Sequence, residues 1–419
     1  MSEGEQELES PRIAALRAAV VADGAGSGAV AEFWRRAEAE GTPLVEPDPD
    51  SEEHRLVTFV WRASSPAIVA VELKGNPRWR SPLDSWLKAA TFARDGLETR
   101  QLQQLADTDV WFDTSRVRVD LRMTYTFAER EAAGVNSDPW EPGALDPFAT
   151  ASYPDETALD VPSVDPDWAT YRTSAVDLRP LPKPPPTAAP TGVVTEHRLI
   201  GTSVDDRRVW IYEPPGASDE PLPVMVLHDG WNWAAHTPIA PILDHLIAER
   251  KIPPLCVVMH ESADRDELAC RPAFTDFLAD ELLPWAGRLR PLTDDPARTI
   301  VAGQSYGGLN AAYSALRRPD RFGHVLSQSG SFWWREATPF DEEFGWLISE
   351  FVRSPRLPVR FYLDVGLLES YMVPTNRHFR DVLLAKEYDV TYREFHGDHS
   401  WFCWRGTVGD GLESLTRDW

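Results

Sequence analysis

Ser305 stands between two glycines in the run Gly303, Gln304, Ser305, Tyr306, Gly307, and a histidine and several carboxylates follow it late in the chain. A serine hydroxyl is a weak nucleophile at its ordinary pKa, so using it requires a base to take the proton and an acid to hold that base. The residues before it, Thr299 to Ala302, are apolar and mostly β-branched, while Gly308 to Leu316 have helical spacing. Strand, sharp turn and helix around Gly-x-Ser-x-Gly predict a nucleophile elbow, which holds the serine in a strained conformation at the carboxyl end of a sheet. The flanking glycines let strand and helix approach closely.

Around such an elbow the chain order is nucleophile, acid, histidine. His399, on a loop after the last predicted strand (Val390 to Phe395), takes the place of the base; His396 directly follows that strand and reads as a structural side chain. The acid should follow the strand Val359 to Val365. Glu369, on the loop, is chosen over Asp364, which lies within the strand. The developing oxyanion needs two backbone donors: Tyr306 N–H, next to the nucleophile, and Trp231 N–H, in the loop that begins His228, Asp229, Gly230. Gly230 is expected to let that loop turn its N–H groups inward.

Positioning these residues takes an alternating pattern of strands and helices, which begins near Gly192. Val193 to Leu199 and Arg208 to Tyr212 form an opening hairpin, and continuous apolar strands follow at Pro223 to His228, Leu255 to Met259 and Thr299 to Ala302. Such strands separated by helices imply a mostly parallel sheet covered on both faces, the α/β-hydrolase arrangement. The amino-terminal part differs. After two helices near 11–21 and 29–40 come short alternating strands, including one long period-two run from Val117 to Phe127, and they predict a β-sandwich. The expected division is residues 1–177 as the sandwich domain, a proline-rich linker at 178–190 and residues 191–419 as the hydrolase domain.

Composition narrows the function. With 419 residues the chain is long enough for two cores, and a formal charge of −24 argues against nucleic acid or an anionic membrane as partner. Three isolated cysteines, an acidic start without signal-peptide order and no long apolar run predict a cytoplasmic protein.

Several stretches together resemble the enterochelin (enterobactin) esterase family of two-domain siderophore esterases. In the carboxyl-terminal part these are Leu227 to Trp233, Arg265 with Glu267 and Leu268, Phe277 to Trp285, Gly303 to Gly308, and Gly397 to Ser400 followed by Trp404 to Gly406. In the amino-terminal part they are Phe33 and Trp34, Gly41 to Leu44, Val57 to Arg62, Thr108 to Phe112, Tyr125 with Phe127, and Asp146 with Pro147. The resemblance implies a serine esterase acting on a small-molecule trilactone catecholate siderophore, with Ser305 as nucleophile, His399 as base and Glu369 favoured over Asp364 as acid. It departs at Asp398, where the family has a second glycine before the histidine. No metal or organic cofactor is implied; iron enters only with the substrate. A ferric catecholate is an anion with flat rings, so cationic and aromatic side chains should meet it: Arg265, Trp233, Trp333 and Trp334 are the substrate-binding candidates. A related esterase or thioesterase acting on another natural-product ester is the alternative.

Overall fold

A computed structural model of the chain describes residues 8–24, 28–75, 99–131, 143–154, 172–179, 191–216, 220–262, 265–334 and 345–419. Most of the expected proline-rich linker, residues 180–190, lies outside the described residues. The chain divides into two compact units. The first contains residues 8–154 and 172–179 together with His396–Phe402, and the second contains residues 191–395 and Cys403–Trp419.

In the first unit, helices α1 (Pro11–Asp23) and α2 (Gly28–Glu40) precede nine strands among the described residues. Strands β1 (Leu44–Asp48), β2 (Ser51–Arg62), β5 (Gln103–Gln104) and β6 (Val110–Arg118) form one sheet in the order β1-β2-β6-β5. Strands β3 (Ala70–Lys74), β4 (Thr99–Gln101), β7 (Arg122–Arg130), β8 (Ala151–Tyr153) and β9 (Thr173–Asp177) form a second, ordered β4-β3-β7-β9-β8. Phe59 and Trp61 of β2 meet Tyr125 and Phe127 of β7 with ring centroids 4.9 and 4.8 Å apart, so the two sheets pack face to face as a sandwich. On β2 every residue from Leu56 to Val60 is buried, without alternation. The reason is that Val60 packs in a cluster with Ile13, Leu16 and Trp34 of the two helices, while Phe59 faces the second sheet.

The single long strand expected over Val117 to Phe127 is instead two strands in different sheets. The chain turns at Arg118 to Leu121, where Leu121 N–H donates to Arg118 O at 3.1 Å and Arg118 Nη2 meets Asp120 Oδ2 at 2.6 Å. Apolar alternation runs unbroken through this corner because Val119 sits in it, although the structure leaves that valine exposed.

The second unit is built on an eight-stranded sheet. Its strands are β10 (Val193–Leu199), β11 (Arg207–Glu213), β12 (Val224–Leu227), β13 (Cys256–His260), β14 (Thr299–Gln304), β15 (His324–Gln328), β16 (Arg360–Gly366) and β17 (Asp389–Phe395). Their order is β10-β11-β13-β12-β14-β15-β16-β17. The opening hairpin is antiparallel and the rest is parallel from β13 onward. Helices α3 (Ala240–Ala248), α4 (Pro272–Phe277), α5 (Leu283–Leu289), α6 (Tyr306–Arg317), α7 (Trp346–Arg353), α8 (Met372–Ala385) and α9 (Trp401–Leu415) connect and follow the strands. This is the expected α/β-hydrolase arrangement. Strands β12 and β14 are wholly buried, as a sheet with two covered faces requires. The carboxyl ends of β14, β15, β16 and β17 leave the same edge, with Gln304 opposite Gln328, Gln328 opposite Asp364, and Gly366 opposite Phe395.

Candidate active site

Ser305 follows β14 directly and has φ 57° and ψ −118°, a conformation that side chains rarely adopt and that costs on the order of 1–3 kcal/mol. The glycines around it are explained by contact. A Cβ on Gly303 would lie 2.4 Å from the carbonyl carbon of Gly307, and one on Gly308 would lie 2.5 Å from Ser327 Oγ. Ser305 N–H donates to Gln328 O at 3.0 Å, which ties the elbow to the neighbouring strand. Its Oγ lies 3.3 Å from Ser331 Oγ. Tyr306 opens α6, so its N–H belongs to the first turn, where a helix presents positive partial charge.

The loop after β12 is shaped differently from the sequence reading. The positive φ falls on Asp229, at 56°, and not on Gly230. Gly230 is required because a Cβ there would sit 2.7 Å from the Met259 backbone. Asn232 and Trp233 both direct N–H groups to Asp229 O, at 3.0 and 3.4 Å, and a π-helical turn follows over Asn232–His236. Below the loop, His228 Nδ1 lies 2.7 Å from His260 Nε2, and His260 Nδ1 lies 3.3 Å from Glu261 O. Burial keeps both rings neutral, holding His228 down to about 3 and His260 well below its ordinary range.

Asp364 and Glu369 have different surroundings. Asp364 is wholly buried on β16, accepts from Gln328 Nε2 at 3.3 Å, and desolvation pushes its carboxyl up to about 7. Glu369 lies on the loop after β16. Its Oε1 accepts from Ser329 Oγ and from Gly366 N–H, both at 2.6 Å.

His399 is exposed on a loop that belongs to the first unit. That loop is pinned on both sides of the histidine. Arg122 N–H donates to His396 O at 2.9 Å, and Arg118 N–H donates to His396 Nδ1 at 3.3 Å. Asp398 Oδ2 accepts from both N–H and Oγ1 of Thr124, each at 2.8 Å, and Asp398 Oδ1 accepts from Ser400 Oγ at 2.5 Å. The aspartate that departs from the family spelling is therefore an anchor, and His396 is a buried structural side chain.

The four substrate-binding candidates separate. Trp233 is completely buried and donates its indole N–H to Gln304 Oε1 at 3.0 Å; it is a core group and offers no surface to a ligand. Trp334 packs edge-on against Trp346, at 5.8 Å, beside the main core. By contrast Trp333 has Tyr306 at 5.9 Å and Tyr371 at 6.0 Å, an aromatic group that includes the neighbour of the nucleophile. Arg265 keeps a side chain 41% exposed while its Nη1 bonds Asp229 Oδ1 at 3.1 Å, which sets its guanidinium beside the loop after β12. Residues with structural roles that the sequence reading passed over include Gln304, Gln328, Ser329 and Trp404. Gln304 and Trp404 lie inside the quoted motifs, but their spacing does not reveal which hydrogen bonds they make.

A parallel sheet carrying a strained serine between strand and helix defines an α/β-hydrolase, and the chain is a carboxylic ester hydrolase of the esterase class. The family described as "Putative esterase" matches residues 202–415. The chain is 31% identical to the iron(III) enterobactin esterase of Dickeya dadantii (strain 3937), over 91% of this chain and 92% of that protein. Among solved structures, the ferric enterobactin esterase of Salmonella typhimurium superposes with a TM-score of 0.72 at 26% identity, covering 92% of this chain and 98% of that one. The enterobactin esterase of Shigella flexneri, solved in the presence of enterobactin, gives a TM-score of 0.68 at 27% identity, with the same coverage. The chain belongs to the enterobactin esterase family.

Proposed function

We propose that this protein hydrolyses the ester bonds of a trilactone catecholate siderophore, so that iron held by the ligand can be released in the cytoplasm. The observation that carries the reading is similarity over about nine-tenths of the chain to an iron(III) enterobactin esterase, spanning both units and including the elbow. In this mechanism Ser305 Oγ attacks a lactone carbonyl and passes its proton to His399, while Glu369 orients the imidazole and answers its charge. The tetrahedral oxyanion is held by the N–H groups of Tyr306 and Trp231. Collapse expels the serine hydroxyl of the ring-opened ligand, which takes its proton from the histidine. Water, activated by the same base, then cleaves the acyl-enzyme. Arg265 meets the anionic ligand and Trp333 offers it an aromatic face. The chemistry requires no metal or organic cofactor, and iron belongs to the substrate. Three free, buried cysteines support a reducing compartment. Among the described residues, no helix is long and apolar enough to cross a membrane.

The test is mass spectrometry of enterobactin, with and without iron, incubated with the wild type and with Ser305→Ala. Linear trimer, dimer and monomer are expected from the wild type alone. Intact trilactone beside rapid hydrolysis of an aryl ester would retain the triad and reassign the protein to another natural-product ester.

A further inference from the structure

Within the second unit, a series of buried hydrogen bonds runs from the loop after β12 to Glu369, and its direction is fixed chemically. It begins at Trp233, whose indole nitrogen can only donate. Gln304 must therefore turn its oxygen to Trp233, at 3.0 Å, and its amide nitrogen to Gln328 Oε1, at 2.9 Å. That leaves Gln328 to donate, and its Nε2 reaches Thr407 Oγ1 at 2.7 Å and Trp404 O at 2.9 Å on α9. The Trp404 indole donates to Ser329 Oγ at 2.9 Å. Ser329 has one hydroxyl proton, and it goes to Glu369 Oε1 at 2.6 Å. The donor-only Trp233 indole fixes the orientation of both glutamine amides, and the donor-only Trp404 indole leaves Ser329 to donate to Glu369. All are buried: Trp233, Gln304, Gln328 and Ser329 are wholly inaccessible, while Trp404 and Glu369 are 4% and 5% exposed. Gln304 is also the residue immediately before the nucleophile.

We propose that Ser329 and Trp404 are positioning residues for the acid of the triad, holding Glu369 in one orientation and tying it to the strand that precedes Ser305. The proposal rests on the reading of Glu369 as that acid. A charge-assisted hydrogen bond to one carboxylate oxygen fixes the plane of the group, so removing it lets the carboxylate turn away from its partner.

The experiment uses the full chain and p-nitrophenyl butyrate, with the variants Ser329→Gly, Trp404→Phe, Glu369→Gln and Asp364→Asn. Glycine is the informative replacement because Ser329 has φ 50°, so the backbone is eased while the hydroxyl is lost. Ser329→Gly should lower kcat by about 10- to 100-fold, with KM changed by less than about twofold. Because the effect runs through Glu369, a Glu369→Gln, Ser329→Gly double variant should be no slower than Glu369→Gln alone. Trp404→Phe should act in the same direction and less strongly, since Ser329 keeps its own donor. A kcat for Ser329→Gly within about twofold of the wild type, or a double variant slower than Glu369→Gln by the full Ser329→Gly factor, overturns the proposal while Glu369→Gln is impaired. If Glu369→Gln is as active as the wild type and Asp364→Asn is not, the reading of Glu369 itself fails.

Discussion

Arg265 meets two demands that pull in opposite directions. Its exposed guanidinium is available to an anion, yet Asp229, only 6% exposed, already answers part of its charge. The pairing costs some affinity and returns orientation, since a bonded arginine has fewer rotamers to lose when a ligand arrives. Arg265→Ala should therefore raise KM for a catecholate ester about 3- to 10-fold and leave KM for a neutral aryl ester within about twofold. Steady-state kinetics on both substrates checks this, and equal effects on the two would remove Arg265 from ligand recognition. Trp233 carries the opposite lesson. Its position two residues after the presumed oxyanion donor suggested a stacking face, but complete burial commits the ring to packing and its single donor to Gln304.

At the scale of the element, the carboxyl edge of the sheet places two acids in different surroundings, one within β16 and one on the loop after it. Asp364 on β16 has a folded pKa near 7 against an ordinary 3.8. The folded state thus binds more protons between those values, and stability from this group is present below about pH 4 and lost as pH rises to 7. Asp364→Asn lacks that loss. Its stability relative to the wild type should improve by roughly 2–4 kcal/mol between pH 4 and 8, read as the difference between the two chemical-denaturation curves. A difference that does not change with pH would mean that Asp364 is ionised throughout. The difference is the right measure because His228 and His260, held neutral by burial, act with the other sign and lose stability as pH falls below their unfolded pKa. Which elements could be read from the sequence follows from the range of the forces involved. The elbow was legible because its glycines, strand and helix are contiguous and each is dictated by local sterics. The corner at Arg118 to Leu121 was not, because an exposed valine, Val119, continues the period-two pattern across it and hides the turn. Between α4 and α5 lies a π-helical stretch at Leu278–Leu282, and an apolar pattern does not distinguish it from an α-turn. The hydrogen-bonded series to Glu369 joins residues up to 171 positions apart (Trp233 to Trp404), and no local spacing records it.

For the molecule as a whole, the notable feature is that the loop His396–Phe402 belongs with the first unit although it follows the last strand of the second. Asp398 supplies the acceptor for two donors of Thr124. Asp398→Ala should destabilise the protein by about 1–3 kcal/mol, because it leaves a backbone N–H without its partner, and should lower kcat several-fold through a looser His399. Thr124→Ala should do less, since its backbone N–H remains. Thermal melts and kcat measured side by side check both, and an Asp398→Ala protein with wild-type values in both would show that this anchor is dispensable. The same loop also sets an order of events during synthesis. Arg118, Arg122 and Thr124 emerge from the ribosome in the first third of the chain, whereas the groups that accept their N–H protons arrive almost at its end. The β-sandwich must wait with those donors open to water, and a product cut short before the loop lacks the tether and the proposed base together. On the proposed mechanism, a chain that ends before the loop is expected to be inactive.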